Sequence, residues 1–167
     1  MSALNGFRGV NWSAVALGWV VAVVVGFVLA LVFGLIGLAA SGGGPERAAE
    51  GELGVGSFLL SLVVGFLSYL AGGYVAGRRA GRAGTLHGMM TAVFGLIVAV
   101  VLAIILLVIA LLFLEGEIPR TPGVLGVASG SFLAGLVAFL VNLAGGYLGG
   151  RLSGASEEGT GRPSRVR

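Results

Sequence analysis

The chain predicts an all-α membrane protein: four transmembrane helices forming two parallel-repeated helical hairpins, closely packed through small-xxx-small faces. Three observations carry this expectation. First, 57% of the 167 residues are hydrophobic and only 10% are charged, against about a quarter charged in a soluble domain. Too few polar groups exist to coat a water-soluble globule, so lipid is the natural solvent. Second, four long apolar runs are separated by short polar, Gly/Pro-bearing breaks. Third, the run "AGGYVAGRR" at 71–79 returns as "AGGYLGGR" at 144–151.

The apolar runs cover 13–40, 55–77, 86–114 and 124–150. About 20 apolar residues cross a bilayer as a helix, and a spanning backbone must satisfy its own hydrogen bonds. The strands of a membrane barrel alternate in polarity; these runs do not. The first run far exceeds the roughly 7–15 apolar residues of a signal core, so it is read as a retained span. Residues 1–152 are assigned to one four-helix membrane domain. The polar tail at 153–167, "SGASEEGTGRPSRVR", lacks a core-forming pattern and is expected to be disordered.

Arginine placement orients the spans. Arg8, then Arg78, Arg79 and Arg82, then Arg151, Arg162, Arg165 and Arg167 fall on one side. Arg47 and Arg120 fall on the other, with Glu46, Glu50, Glu52, Glu115 and Glu117. With Glu157 and Glu158 counted, the sides carry +6 and −3, which make the net +3. Both termini and the loop near 78–85 are therefore expected in the cytoplasm. Exposed arginines also make anionic lipids candidate partners, at about 1 kcal/mol per cation near the surface. Arg78, Arg79, Arg82 and Arg151 are the residues assigned to topology and lipid contact.

A shift of 73 residues lays Arg78 on Arg151, Gly77 on Gly150, Tyr74 on Tyr147, Gly73 on Gly146, Gly72 on Gly145 and Phe66 on Phe139. Two spans per copy place both copies in the same orientation, as in parallel transporter repeats. Each span also carries small residues four apart. The first has Ala14, Gly18, Ala22, Gly26, Ala30 and Gly34. The second has Ser57, Ser61, Gly65, Gly73 and Gly77; the third has Thr91, Gly95, Ala99 and Ala103. The fourth has Gly126, Gly130, Ala134, Ala138, Gly146 and Gly150. Residues four apart share a helix face, and membrane helices associate where small residues let backbones approach. Leu, Val and Ile are then left to face lipid. Gly72/Ala76 and Gly145/Gly149 read as surplus faces, free to meet another membrane helix.

Few residues are candidates for chemistry. Tyr69 and Asn142 interrupt the stripes at equivalent places, so both are expected to face inward. They form either a polar pair marking a solute path or an interhelical hydrogen bond worth about 0.6–2 kcal/mol. His87, the single histidine, opens the third span and is either a pH-sensitive group or an interfacial cap partner. With no cysteine and one histidine, neither a metal site nor a cofactor is expected. No acid, lysine or arginine lies deep in a span, which weakens a proton-coupled transporter. No phosphate-loop pattern of the form G-x-x-x-x-G-K-[ST] occurs. An enzyme and a nucleic-acid partner are therefore not expected.

At "AGGYVAGRRAGRAGTLHGMM" (71–90) the chain resembles a poorly characterised family of small four-span prokaryotic membrane proteins. In that family a GGYxAGR run closes the second span and an HG pair opens the third. The resemblance implies four helices in a cytoplasmic membrane and carries no activity. The span count is shared with small multidrug exporters, but here the first span has no glutamate and the charge bias opposes dual insertion. The functional expectation is a packing and assembly module, acting with itself or a membrane partner. The alternative is a small-solute or ion path at the repeat axis or in an oligomer.

Overall fold

The computed structural model describes residues 10–41, 55–81, 83–113 and 132–158. They form four α-helices: α1 (Trp12–Ser41), α2 (Val55–Ala80), α3 (Gly84–Phe113) and α4 (Phe132–Glu158). No strand occurs among the described residues. All four helices are long and apolar enough to cross a membrane. At 1.5 Å per residue, a helix of 30 residues such as α1 or α3 is about 45 Å long, longer than a hydrocarbon core of about 30 Å.

The ends of the helices have local causes. Asn11 caps α1: its side-chain oxygen accepts the Ala14 N–H at 3.3 Å and the Ser13 hydroxyl at 2.7 Å. Such a cap satisfies an amide that the first turn leaves free. α2 continues past the expected 77 to Ala80, taking Arg78 and Arg79 into its last turn. Cations suit the negative end of a helix, and Arg78 donates to the Tyr74 hydroxyl one turn back at 2.9 Å. Gly81, at φ 68°, then turns the chain, the conformation in which helices commonly stop. Ala83 also takes a positive φ of 52°, an uncommon state for a residue with a side chain.

Two boundaries differ from expectation at α4. The helix begins at Phe132, and the expected start at 124–131, with Gly126 and Gly130, lies outside the described residues. It also continues to Glu158, so 153–158 are helical where a disordered tail was expected. The reason is packing. Ser153 is buried, returns its hydroxyl to the Gly150 carbonyl at 2.6 Å, and sits against Gly77 and Gly84. Residues 159–167 lie outside the described residues.

The helices run up, down, up, down. α1 and α3 are parallel, joined by Asn11 to His87 and Trp19 to Phe94. α2 and α4 are parallel, touching at Gly65 to Asn142, Gly73 to Gly146 and Gly77 to Gly150. Neighbours follow the order α1, α2, α4, α3 round the bundle, and α2 also packs on α3. The widest contact is between α2 and α4.

The interior is made of small side chains. The buried hydrophobic residues are Val10, Ala14, Val15, Ala22, Ala76 and Ala92, beside buried Ser68, His87, Thr91 and Ser153. The large residues turn outward: Leu35, Phe27, Leu112 and Leu133 are each more than 60% exposed. In water this would be a liability; in lipid, which is as apolar as leucine, it costs nothing and lets backbones meet.

Full burial is concentrated in one half of the bundle. Every buried residue among those described falls within 10–22 of α1, 68–77 of α2, 87–95 of α3 or 145–153 of α4. These ranges sit at one end, with Arg78, Arg79 and Arg151. Beyond them α1 and α2 leave a groove between them. Gly34, Gly37 and Gly56 have nothing within 4 Å of the place a Cβ would take. Gly34 was expected to pack; the structure corrects this.

Candidate functional site

The arginine end holds a knot of backbone contacts. Gly146 on α4 sits between Gly73 of α2 and Gly88 of α3. A Cβ on Gly73 would stand 2.9 Å from the Gly146 Cα, and one on Gly88 would stand 3.0 Å from the Gly150 Cα. Gly77 likewise faces Gly150, at 3.1 Å from its Cα. On the other flank, Gly18 meets Gly72 and Ala76, and Gly72 meets Ala22. Gly73 and Gly146, 73 residues apart in sequence, thus meet each other, as do Gly77 and Gly150.

The faces read as surplus are occupied, which corrects that expectation. Gly72 and Ala76 are taken by α1, and Gly145 and Gly149 lie against the Phe66 and Leu70 backbone of α2. The cause is the position of α2, which has α1 on one side, α4 on another and α3 on a third. A helix with three neighbours needs small residues on more than one face.

His87 is 2% exposed and both ring nitrogens are engaged. Nε2 accepts the backbone N–H of Asn11 at 2.9 Å, and Nδ1 lies 3.0 Å from the Ala83 carbonyl. A nitrogen that accepts carries no proton, so the two contacts fit the neutral Nδ1–H tautomer. The Ala83 carbonyl also takes the His87 amide at 3.2 Å, and the His87 carbonyl takes the Thr91 hydroxyl at 2.9 Å. Sequence reading placed His87 at this end but missed its partner Asn11. The only signal was an asparagine standing just before an apolar run, the usual mark of a helix cap.

Tyr69 and Asn142 are half-buried and turn toward glycines of neighbouring helices. The Tyr69 hydroxyl meets Gly95 on α3, beside Trp19, and the Asn142 carboxamide oxygen meets Gly65 on α2. Trp19 itself packs edge-on against Phe94, with centroids 5.7 Å apart. Replacing Asn142 with leucine is expected to cost about 1–3 kcal/mol in reversible unfolding from mixed micelles, because a branched side chain must then share the space at Gly65.

Beside the contact of Gly26 with Ser68, an open groove of about 500 Å³ lies between α1 and α2. Gly26, Ala30, Phe33 and Gly34 form one wall; Ser57, Ser61, Gly65 and Tyr69 lie on the other. Ser61 and Ser68 return their hydroxyls to the carbonyls of Phe58 and Val64, at 2.7 and 2.6 Å. Arg78, Arg79 and Arg151 are exposed at the opposite end; Arg82 lies outside the described residues. No group of three or more His, Cys, Asp or Glu able to hold a metal occurs among the described residues.

Four apolar helices of spanning length, packed through small residues, define a multi-pass membrane protein. Compared with protein-family models, curated proteins and solved structures, the chain matches none.

Proposed function

We propose that this chain is a non-enzymatic assembly module of a prokaryotic cytoplasmic membrane, packing with a second copy of itself or with a membrane partner. The observation that carries the reading is the split between the two halves of the bundle. At the arginine end the small residues are spent on the chain's own helices. At the other end Ala30, Gly34, Ser57 and Ser61 remain uncovered beside the groove. Small residues on a membrane helix let another backbone approach, so the half with the groove is where a further helix gains contact. The meeting of Gly73 with Gly146 and of Gly77 with Gly150 supports reading the chain as a duplicated hairpin with its two copies side by side. Arginine bias supports a cytoplasmic location for both termini and for the α2–α3 turn, where Arg78, Arg79 and Arg151 meet anionic headgroups.

The chain has no cysteine of its own, so single cysteines test the reading in native membranes. Gly34→Cys, on the groove, is expected to crosslink to a second copy or a partner. Val24→Cys, 56% exposed, is expected to crosslink several-fold less, on the order of random collision. Equal yields would remove the assembly reading. A path for a small solute is the second reading, favoured by Ser57 and Ser61 on one wall of the groove. Flux through liposomes by a chain that fails to crosslink would select it.

A further inference from the structure

The His87 ring is built into a junction that joins three helix ends. Its Nε2 receives the backbone amide of Asn11, the residue that caps α1. Its Nδ1 is held by the carbonyl of Ala83, in the positive-φ turn that follows α2. The ring is almost wholly buried, and Thr91 holds the backbone one turn on. This arrangement works only for one protonation state. A neutral Nδ1–H imidazole can accept from Asn11 and donate to Ala83 together; an imidazolium carries donors at both nitrogens and cannot accept. Protonation would set an N–H against an N–H at the start of α1.

We propose that His87 is a proton-sensitive latch: neutral, it fastens the start of α1 to the α2–α3 turn, and protonated, it lets Asn11 go. The contact belongs to the neutral ring and is lost to the protonated one. Among the described residues, the ionisable groups of the helices around the junction are few. α1 carries no ionisable side chain. α2 brings Tyr74, Arg78 and Arg79, and Tyr74 bonds to Arg78. α4 brings the exposed Tyr147 and Arg151. The carboxylates of the described helices are Glu157 and Glu158, in the last turn of α4. The groove on the other half plays no part, and the inference stands apart from the assembly reading.

The test uses the full chain in phosphatidylcholine vesicles. Because His87 is the single histidine, its ring ¹⁵N signals are unambiguous. They are expected to report the Nδ1–H tautomer in alkaline buffer and the imidazolium once the buffer is acidified. Spin labels at Trp12→Cys and Arg79→Cys, both exposed, read the junction. A longer distance is expected to grow in with the same midpoint as the ring, and to be absent across the range in His87→Gln, whose carboxamide does not titrate. An Nε2–H tautomer at the alkaline end would overturn the proposal. So would a ring that stays neutral throughout, or a ring that titrates while the label distance holds. An identical acid response in His87→Gln would also overturn it. Should His87→Gln not fold, the ring and distance midpoints of the native histidine decide the matter alone.

Discussion

Gly88→Ala breaks the bundle open, while Gly34→Ala leaves it folded. The two substitutions add the same methyl group to two membrane helices. At Gly88 that methyl collides with the backbone of α4, at the Gly146 carbonyl and 3.0 Å from the Gly150 Cα and N. Backbone atoms in the middle of a helix have no rotamer into which to retreat. The helices must separate, and every other close contact at the knot separates with them. The expected cost is about 3 kcal/mol, the upper range for overpacking. At Gly34 nothing stands within 4 Å, and the change brings at most about 1 kcal/mol of helix propensity. Reversible unfolding by a denaturing detergent in mixed micelles measures both. Equal stability of the two variants would mean that the glycine contacts of α3 and α4 do not hold the bundle together.

Ser153→Leu is the second large effect, about 2–3 kcal/mol in the same assay. Ser153 is buried in the angle between α2 and α3, against Gly77 and Gly84. A Cβ on Gly84 would lie 2.7 Å from its hydroxyl oxygen, so a side chain larger than serine has nowhere to go. Ser153→Ala keeps the fit and loses only a bond returned to its own helix at Gly150, a change within about 1 kcal/mol. Were 153 the first residue of a loose tail, leucine there would be silent. The pair of variants therefore tests whether α4 extends as a packed helix beyond the arginine at 151.

The four spans were legible because length and hydropathy suffice to specify them, and the inward faces because small residues four apart mark a face. What could not be read was where along a face the contact stops. In α1 the series Ala14, Gly18, Ala22, Gly26, Ala30, Gly34 is unbroken, yet burial ends at Ala22 and nothing lies within 4 Å of a Cβ at Gly34. Spacing determines an angular position on a helix; how far two helices stay together depends on the angle at which they cross. The same gap explains Gly72, Ala76, Gly145 and Gly149. A second small face looks unpartnered until the number of neighbours is known, and α2 has three. His87 was legible as a polar residue at a helix start, but its partner lies 76 residues away and shares no pattern with it. Ser153 was hidden by composition, because the polar residues after it resemble those of any solvated end.

The groove between α1 and α2 has a consequence for the membrane itself. That half meets the bilayer through Gly26, Ala30 and Gly34 as well as through exposed leucines, so acyl chains fill whatever space no further helix takes.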